Sequence, residues 1–289
     1  MENTARIEQN LEATIERATG PSCPPGLSKA IHHAVFPGGA RVRPSLSLAV
    51  ADACECQDTA LAEGAAVAIE LLHCASLIHD DLPCFDNADI RRGKPSVHVL
   101  YGEPLAVLAG DALIVEAFNA VTRSGSNHPA RMAKLITCIA KSVGMTGGIT
   151  AGQAWESEEV IDINEYHSAK TGALFVGAVS VGAIAAGQDP APWRDVGANI
   201  GAAYQIADDL MDALGSAEEC GKPVAQDCAH TRPNAVQEYG VSGASALLKE
   251  TVEAAADAVP DCAHVGALRS LIVSQAKRRI PAKHAQKVV

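Results

Sequence analysis

Aromatic side chains are scarce. Phe, Trp and Tyr together make up 3% of the 289 residues, so Ala, Val, Ile and Leu must fill the core. A β-sandwich wants β-branched and aromatic strands, whereas small and medium aliphatic residues suit closely packed helices. The composition therefore predicts an all-α chain. A basic surplus is missing as well: 23 Lys and Arg stand against 34 Asp and Glu, a net charge of −11. That excludes a general nucleic-acid footprint, which needs a basic surface. It still allows an anionic ligand held by a few cations, or by a metal, concentrated in one cleft. No CxxC pair occurs among the nine cysteines, an odd number, which argues against a disulfide framework or a structural zinc site. They read as reduced thiols, mostly small core fillers, in a cytoplasmic protein. The opening stretch MENTARIEQNLEATIERATG carries charges throughout and lacks the apolar centre of a signal peptide.

What is present is apolar and periodic. The chain is 48% hydrophobic, a globular rather than a disordered composition. Helical patterns are expected at 3–18, in a second helix running to about Val35, after Pro44, at 58–81, 105–123, 129–144, 148–157, 162–187, 190–214, 242–258 and 262–279. Polar stretches at 86–98 and 215–234 read as loops, and a basic tail, KRRIPAKHAQKVV, follows the last helix. Residues 171–188 carry no charge over 18 positions, the threshold length for a membrane span. Their Gly and Ala content fits a helix buried inside a bundle better, so no transmembrane segment is expected. No repeat and no linker divides the chain, which predicts one domain over 1–289, a helical bundle around a central cavity.

Two acidic clusters carry the chemistry. Asp208 and Asp212, in QIADDLMDALG, stack on one face of a helix. Two carboxylates one turn apart repel unless a cation lies between them, and Mg²⁺, which prefers carboxylate oxygens, fits. The other cluster is Asp80, Asp81 and Asp86, in LIHDDLPCFDNADIRRG. Positions 80 and 86 lie about 240° apart on an unbroken helix. They can converge only if the helix ends, and Pro83 is the residue that would end it, near Leu82. Arg91 and Arg92 follow, each able to fork onto phosphate oxygens. In PGGARVRPS, Arg41 and Arg43 stand on a glycine-rich approach to a helix start, a second place for an anion. Lys170 opens the charge-free run. His79 beside Asp80 also invites a metallophosphohydrolase reading, but that leaves the second cluster and both arginine pairs unexplained.

Taken together these residues resemble the trans-isoprenyl diphosphate synthases, the polyprenyl synthetases. The first aspartate-rich motif stands as Asp80-Asp81-Leu-Pro-Cys-Phe-Asp86 with Arg91-Arg92-Gly93-Lys94-Pro95 after it, the second as Asp208-Asp209-Leu-Met-Asp212 after Tyr204-Gln205. Gly152-Gln153, Lys170-Thr171-Gly172-Ala173 and Gly221-Lys222 also match. Within the family the wording is similar to the geranylgeranyl diphosphate synthases of carotenoid-making bacteria. The resemblance implies that Asp80, Asp81, Asp86, Asp208 and Asp212 hold three Mg²⁺, with Mn²⁺ as a substitute, against the diphosphate of an allylic substrate: dimethylallyl, geranyl or farnesyl diphosphate. It implies that Arg91, Lys170 and Lys222 grip that diphosphate, and that Arg43, His73 and Arg92 bind isopentenyl diphosphate. Gln205 and the Lys170–Thr171 backbone would face the developing carbocation, and the protein would be a homodimer. Ala40, Ala88, Gln226 and Arg232 depart from the family pattern.

The product's length is expected to depend on Ala75 and Ser76, about one turn before Asp80. Two small residues leave the path along the helix open, which predicts a twenty-carbon product; Phe118 is one candidate for a floor. A farnesyl diphosphate synthase and a non-catalytic partner subunit are the alternatives. A terpene cyclase would carry an Asn/Ser/Glu motif in place of DDLMD.

Overall fold

Helices account for nearly all regular structure in the computed structural model, which describes residues 2–214 and 234–279. Among the described residues the only strands are β1 (Ile90–Arg91) and β2 (Lys94–Pro95), an antiparallel pair in the stretch expected as loop. The chain divides into two compact units, Met1–Ala140 with Val181–Gln188, and Lys141–Ser180 with Asp189–Val289.

In the first unit, α1 (Glu2–Ala18) buries Ile7, Leu11 and Ile15, one side chain per turn. Next come α2 (Pro25–Val35), α3 (Val42–Ala53) and α4 (Thr59–Asp80), the last started by Asp58, whose carboxylate accepts the Leu61 N–H at 3.0 Å. Helix α3 begins two residues before Pro44, not after it. The first intrahelical bond runs from the Ser45 N–H to the Arg41 carbonyl, so a proline in that first turn withholds no needed donor. After the hairpin come α5 (Val97–Tyr101), α6 (Glu103–Ser124) and α7 (Pro129–Val143). Helices α4 and α6 run closely together because small residues line both. A Cβ on Gly110 would meet the His79 ring at 2.1 Å, and one on Gly64 would meet Ser124 Oγ at the same distance. This is how an alanine-rich core reaches close packing without aromatics.

An ion triad, buried at Arg41 and Glu70 and open to solvent at Glu8, joins three of these helices. Arg41, 2% exposed, donates to Glu8 of α1 at 2.7 and 3.2 Å, to Glu70 of α4 at 2.7 Å and to the Val35 carbonyl of α2 at 2.6 Å. Burial alone would lower its pKa, but the hydrogen bond to Glu8 and the attraction of Glu70 outweigh that and raise it. The expectation that Arg41 faces an anion is thus corrected: its guanidinium is held by Glu8, Glu70 and the Val35 carbonyl.

The second unit holds α8 (Ile149–Trp155), α9 (Ile163–His167), a π turn over Ser168–Gly172, most of α10 (Ala173–Ala185), α11 (Arg194–Leu214), α12 (Ala235–Asp257) and α13 (Val265–Arg279). The helix expected over 162–187 is present as one helical run over 163–185, with the π turn inside it. Its core packs Ile206, Ala207 and Leu210 of α11 against Ala244, Leu248 and Val252 of α12 and Ala276 of α13. Helix α12 starts at 235 rather than 242, with a kink at Gly240, whose φ is +67°. Among the described residues, three helical stretches are long and apolar enough by composition to cross a membrane: Thr59–Asp80, Glu103–Ser124 and Ile163–Ala185. The first and third are 72% buried and the second 44%; the sequence pointed only to the third. The cysteines are also less buried than expected. Among those described only Cys74 is buried, and Cys84 is exposed.

Replacing Arg41 with Met should leave Glu70 uncompensated in the core and cost about 3 kcal/mol or more. The shift of the urea unfolding midpoint measures it.

Candidate active site

The first acidic cluster is built by the end of α4. The helix stops at Asp80, two residues earlier than Pro83 alone suggested, with Asp81 as its C-cap. The chain then winds back on itself. The Asp86 N–H donates to the Asp80 carbonyl at 3.0 Å, and the Ala88 N–H to the Asp81 carbonyl at 3.1 Å. Each of Asp80 and Asp86 thereby presents a carboxylate oxygen, the two within 4.8 Å of one another, and both side chains are half-buried.

Asp81 is engaged by Arg91. It is 3% exposed, and its Oδ1 accepts from Arg91 Nε at 2.9 Å and from Arg91 Nη2. Asp80 lies 3.9 Å from the same guanidinium. Burial pushes the Asp81 carboxyl above the usual carboxylate range, and the Arg91 bond works against that shift. For Arg91 burial acts downward, yet the hydrogen bond and charge of Asp81, with Asp80 and Asp86 adding, raise it above its ordinary value. The guanidinium stays charged among three carboxylates.

Arg92 and Gly93 form the two-residue turn of the hairpin, with φ of +54° and +72°, the left-handed pair that such a turn requires. A non-glycine residue held there is strained. Arg92 Nη1 donates to the Gly38 carbonyl at 2.9 Å, and Gly39 leaves room for the guanidinium, which a Cβ would meet at 2.9 Å. Arg43 of α3 lies 3.4 Å from His73 of α4. Ala75 is buried, and Ser76 Oγ donates to the His73 carbonyl at 2.8 Å.

In the second unit the π turn places Lys170 and Thr171 side by side. Lys170 Nζ donates to Glu156 Oε1 at 2.6 Å; Tyr166 Oη donates to the same oxygen at 2.6 Å, and Gln153 Nε2 to the other at 2.9 Å. Glu156 and Tyr166 carry no motif signal of their own and were not singled out; the only clue is that Glu156 lies one helical turn beyond Gln153. Helix α11 presents a stripe at four-residue spacing: Gly197, Gly201, Gln205, Asp209. The two glycines let α11 close on α10 and the π turn, since a Cβ on Gly201 would sit 2.7 Å from Gly172 Cα. One turn further, Gln205 meets Thr171, whose Oγ1 donates to Gln205 Oε1 at 3.1 Å. Asp208 and Asp212 form the neighbouring stripe, both half-buried, as their spacing predicted. Lys222, like Gly221, Gln226, Arg232 and the tail from 280, lies outside the described residues.

The donor sets fit a hard divalent cation: carboxylate oxygens only, with Asp80 and Asp86 converged. The Arg91 guanidinium stands beside them, 3.9 Å from Asp80, and a guanidinium can fork onto phosphate oxygens. Carboxylate oxygens with a guanidinium beside them, on a helical fold, are the groups that metal-assisted chemistry on phosphorylated substrates uses. The family model described as polyprenyl synthetase matches residues 24–266, and the chain belongs to that family. It is 52% identical over 283 residues to a geranylgeranyl diphosphate synthase of Cereibacter sphaeroides, covering 98% of each chain. Among solved structures it is similar to a geranylgeranyl pyrophosphate synthetase of Pyrococcus horikoshii, with a TM-score of 0.79 at 29% identity, covering 96% of this chain and 98% of that one. It also resembles a geranyltransferase of Helicobacter pylori complexed with magnesium and isoprenyl diphosphate, with a TM-score of 0.77 at 27% identity and coverage of 96% and 98%.

A methyl group at Gly152 would lie 2.3 Å from Lys170 N and 2.5 Å from its Cα, atoms that have no freedom to move aside. Gly152→Ala should therefore displace α8 from the π turn and destabilise the protein by about 1–3 kcal/mol, visible as a lowered thermal midpoint.

Proposed function

We propose that this prenyltransferase condenses isopentenyl diphosphate with an allylic diphosphate and releases geranylgeranyl diphosphate, of twenty carbons. The observation that carries the reading is the convergence of Asp80 and Asp86 beside the charged Arg91. The relative named geranylgeranyl diphosphate synthase, alike over nearly the whole chain, supports the product. The family match, 24–266, includes sequence from both units and supports one prenyl synthase domain.

Asp80 and Asp86 would hold Mg²⁺ against the allylic diphosphate, and Asp208 and Asp212 offer the same kind of oxygen donors. Asp81 would join them through Oδ2 while its Oδ1 holds the Arg91 guanidinium for the diphosphate. Bound Mg²⁺ supplies neutralisation of the charge that builds on the departing diphosphate. Arg91 and Lys170 add fixed positive charge where the leaving group gains electrons. Breaking the bond between C1 and the diphosphate oxygen leaves an allylic cation, toward which Thr171 and Gln205 direct oxygen lone pairs. Arg43, His73 and Arg92 would orient isopentenyl diphosphate, whose double bond attacks C1; the adduct then loses a proton to the released diphosphate. Ala75 leaves space for the growing chain along α4.

A cytoplasmic homodimer completes the reading. Helix α6 supports the dimer: Val107, Leu108 and Val115 are 40%, 52% and 61% exposed on a helix otherwise apolar enough to seek cover.

Incubation with dimethylallyl diphosphate, excess labelled isopentenyl diphosphate and Mg²⁺, followed by sizing of the dephosphorylated alcohols, tests the proposal. C20 is expected, with turnover abolished by EDTA and restored by Mg²⁺. A C15 product would keep the enzyme and shift the chain-length limit closer to Asp80, whereas no product would point to a partner subunit. Ala75→Tyr should shorten the product to C15 or less; an unchanged product would show that this face of α4 does not measure length.

A further inference from the structure

Asp209 is the member of the second acidic motif that the metal reading does not use. It lies about 100° around α11 from Asp208, on the stripe of Gly201 and Gln205 rather than that of Asp208 and Asp212. It is 3% exposed, and both of its oxygens have protein donors: Oδ1 accepts from Gln205 Nε2 at 3.1 Å, and Oδ2 from the backbone N–H of Ala235, the first residue of α12, at 2.8 Å.

We infer that Asp209 is a positioning residue that sets which end of the Gln205 amide faces the reacting carbon. A carboxylate accepts hydrogen bonds and does not donate them, so the group of Gln205 that faces it must be the NH₂. The amide oxygen is then turned the other way, to Thr171 Oγ1. The relay from Ala235 through Asp209 and Gln205 to Thr171 leaves one amide orientation, with its negative end available to a developing positive charge. The reversed amide would present N–H dipoles of the wrong sign. Helix α12 takes part because its first N–H anchors the second carboxylate oxygen, which fixes the rotation of the carboxylate plane.

The inference rests on the proposed condensation for its kinetic consequence but not for the contact itself, and the test separates the two. Asp209→Asn keeps the shape and brings a donor against a donor. It should lower kcat by about 10- to 100-fold, leave KM for both diphosphates within about twofold, and leave the Mg²⁺ concentration for half-maximal activity unchanged. In a Gln205→Ala background the same substitution should add no further loss of kcat. Ala235→Pro removes the anchoring N–H at a helix position that tolerates proline; it should lower the thermal midpoint while costing kcat far less than Asp209→Asn. A raised Mg²⁺ requirement in Asp209→Asn would overturn the inference by making Asp209 a metal ligand. Independent, multiplying losses in the double variant would overturn it as well, as would Ala235→Pro losing kcat as fully as Asp209→Asn. The same double-mutant cycle read by thermal unfolding of the ligand-free variants tests the Asp209–Gln205 contact without any turnover. A wild type that formed no prenyl product would sink the proposed function while that cycle still decided on the contact.

Discussion

Like-charge repulsion is the constraint around which the first unit is organised. Two carboxylate oxygens within 4.8 Å of one another repel by roughly 3 kcal/mol at an effective dielectric near 20. A folded chain keeps Asp80 and Asp86 so close only where backbone geometry enforces it. Here the return of the chain after Asp80 enforces it, through the Asp86 N–H on the Asp80 carbonyl. Arg91 relieves part of the repulsion from one side, held there by the buried Asp81. The remaining negative potential is directed at whatever enters the cluster, and a divalent cation carrying a diphosphate answers both signs of charge at once.

The second unit solves a different problem, the exact placement of weakly polar groups. Gly201 and Gly172 let two helices approach within the reach of a short side chain. The π turn then redirects Lys170 and Thr171 without ending the helical run. Glu156 collects Lys170, Tyr166 and Gln153 onto one carboxylate, and Asp209 fixes Gln205. The scarcity of aromatics fits this plan, because close backbone approach requires small residues and an aromatic-rich core would hold the helices apart. One of the few aromatic pairs, Phe175 with Tyr204 at 4.6 Å between ring centroids, lies at the same crossing.

Much of this was legible in the sequence where the signal was periodic or electrostatic. The helices over 2–18, 59–80, 103–124 and 194–214 follow the apolar spacing closely, and the stacking of Asp208 with Asp212 follows from four-residue spacing alone. The break after Asp80 could be inferred because Asp86 cannot otherwise reach its partner. What escaped depends on contacts distant in sequence. Arg41 looked like Arg43 until Glu8 and Glu70 were seen to enclose it; a lone glutamate inside the apolar stretch AIELLH was the available hint. The hairpin at 90–95 was hidden because its strands are two residues long and its turn places an arginine at positive φ. The π turn leaves no mark on periodicity, since it displaces the pattern by less than one position. Asp209 carries no distinct role in the sequence, because the partners of its two oxygens, Gln205 and the Ala235 N–H, become visible only in the fold.

On the proposed function the acidic site is completed by a divalent cation bearing a diphosphate. Calorimetric titration with a non-hydrolysable bisphosphonate, in the presence and absence of Mg²⁺, tests it most directly. Tight binding is expected with Mg²⁺, negligible binding without it, and a reciprocal rise in Mg²⁺ affinity when the bisphosphonate is present. Binding of equal strength with and without the metal would contradict it.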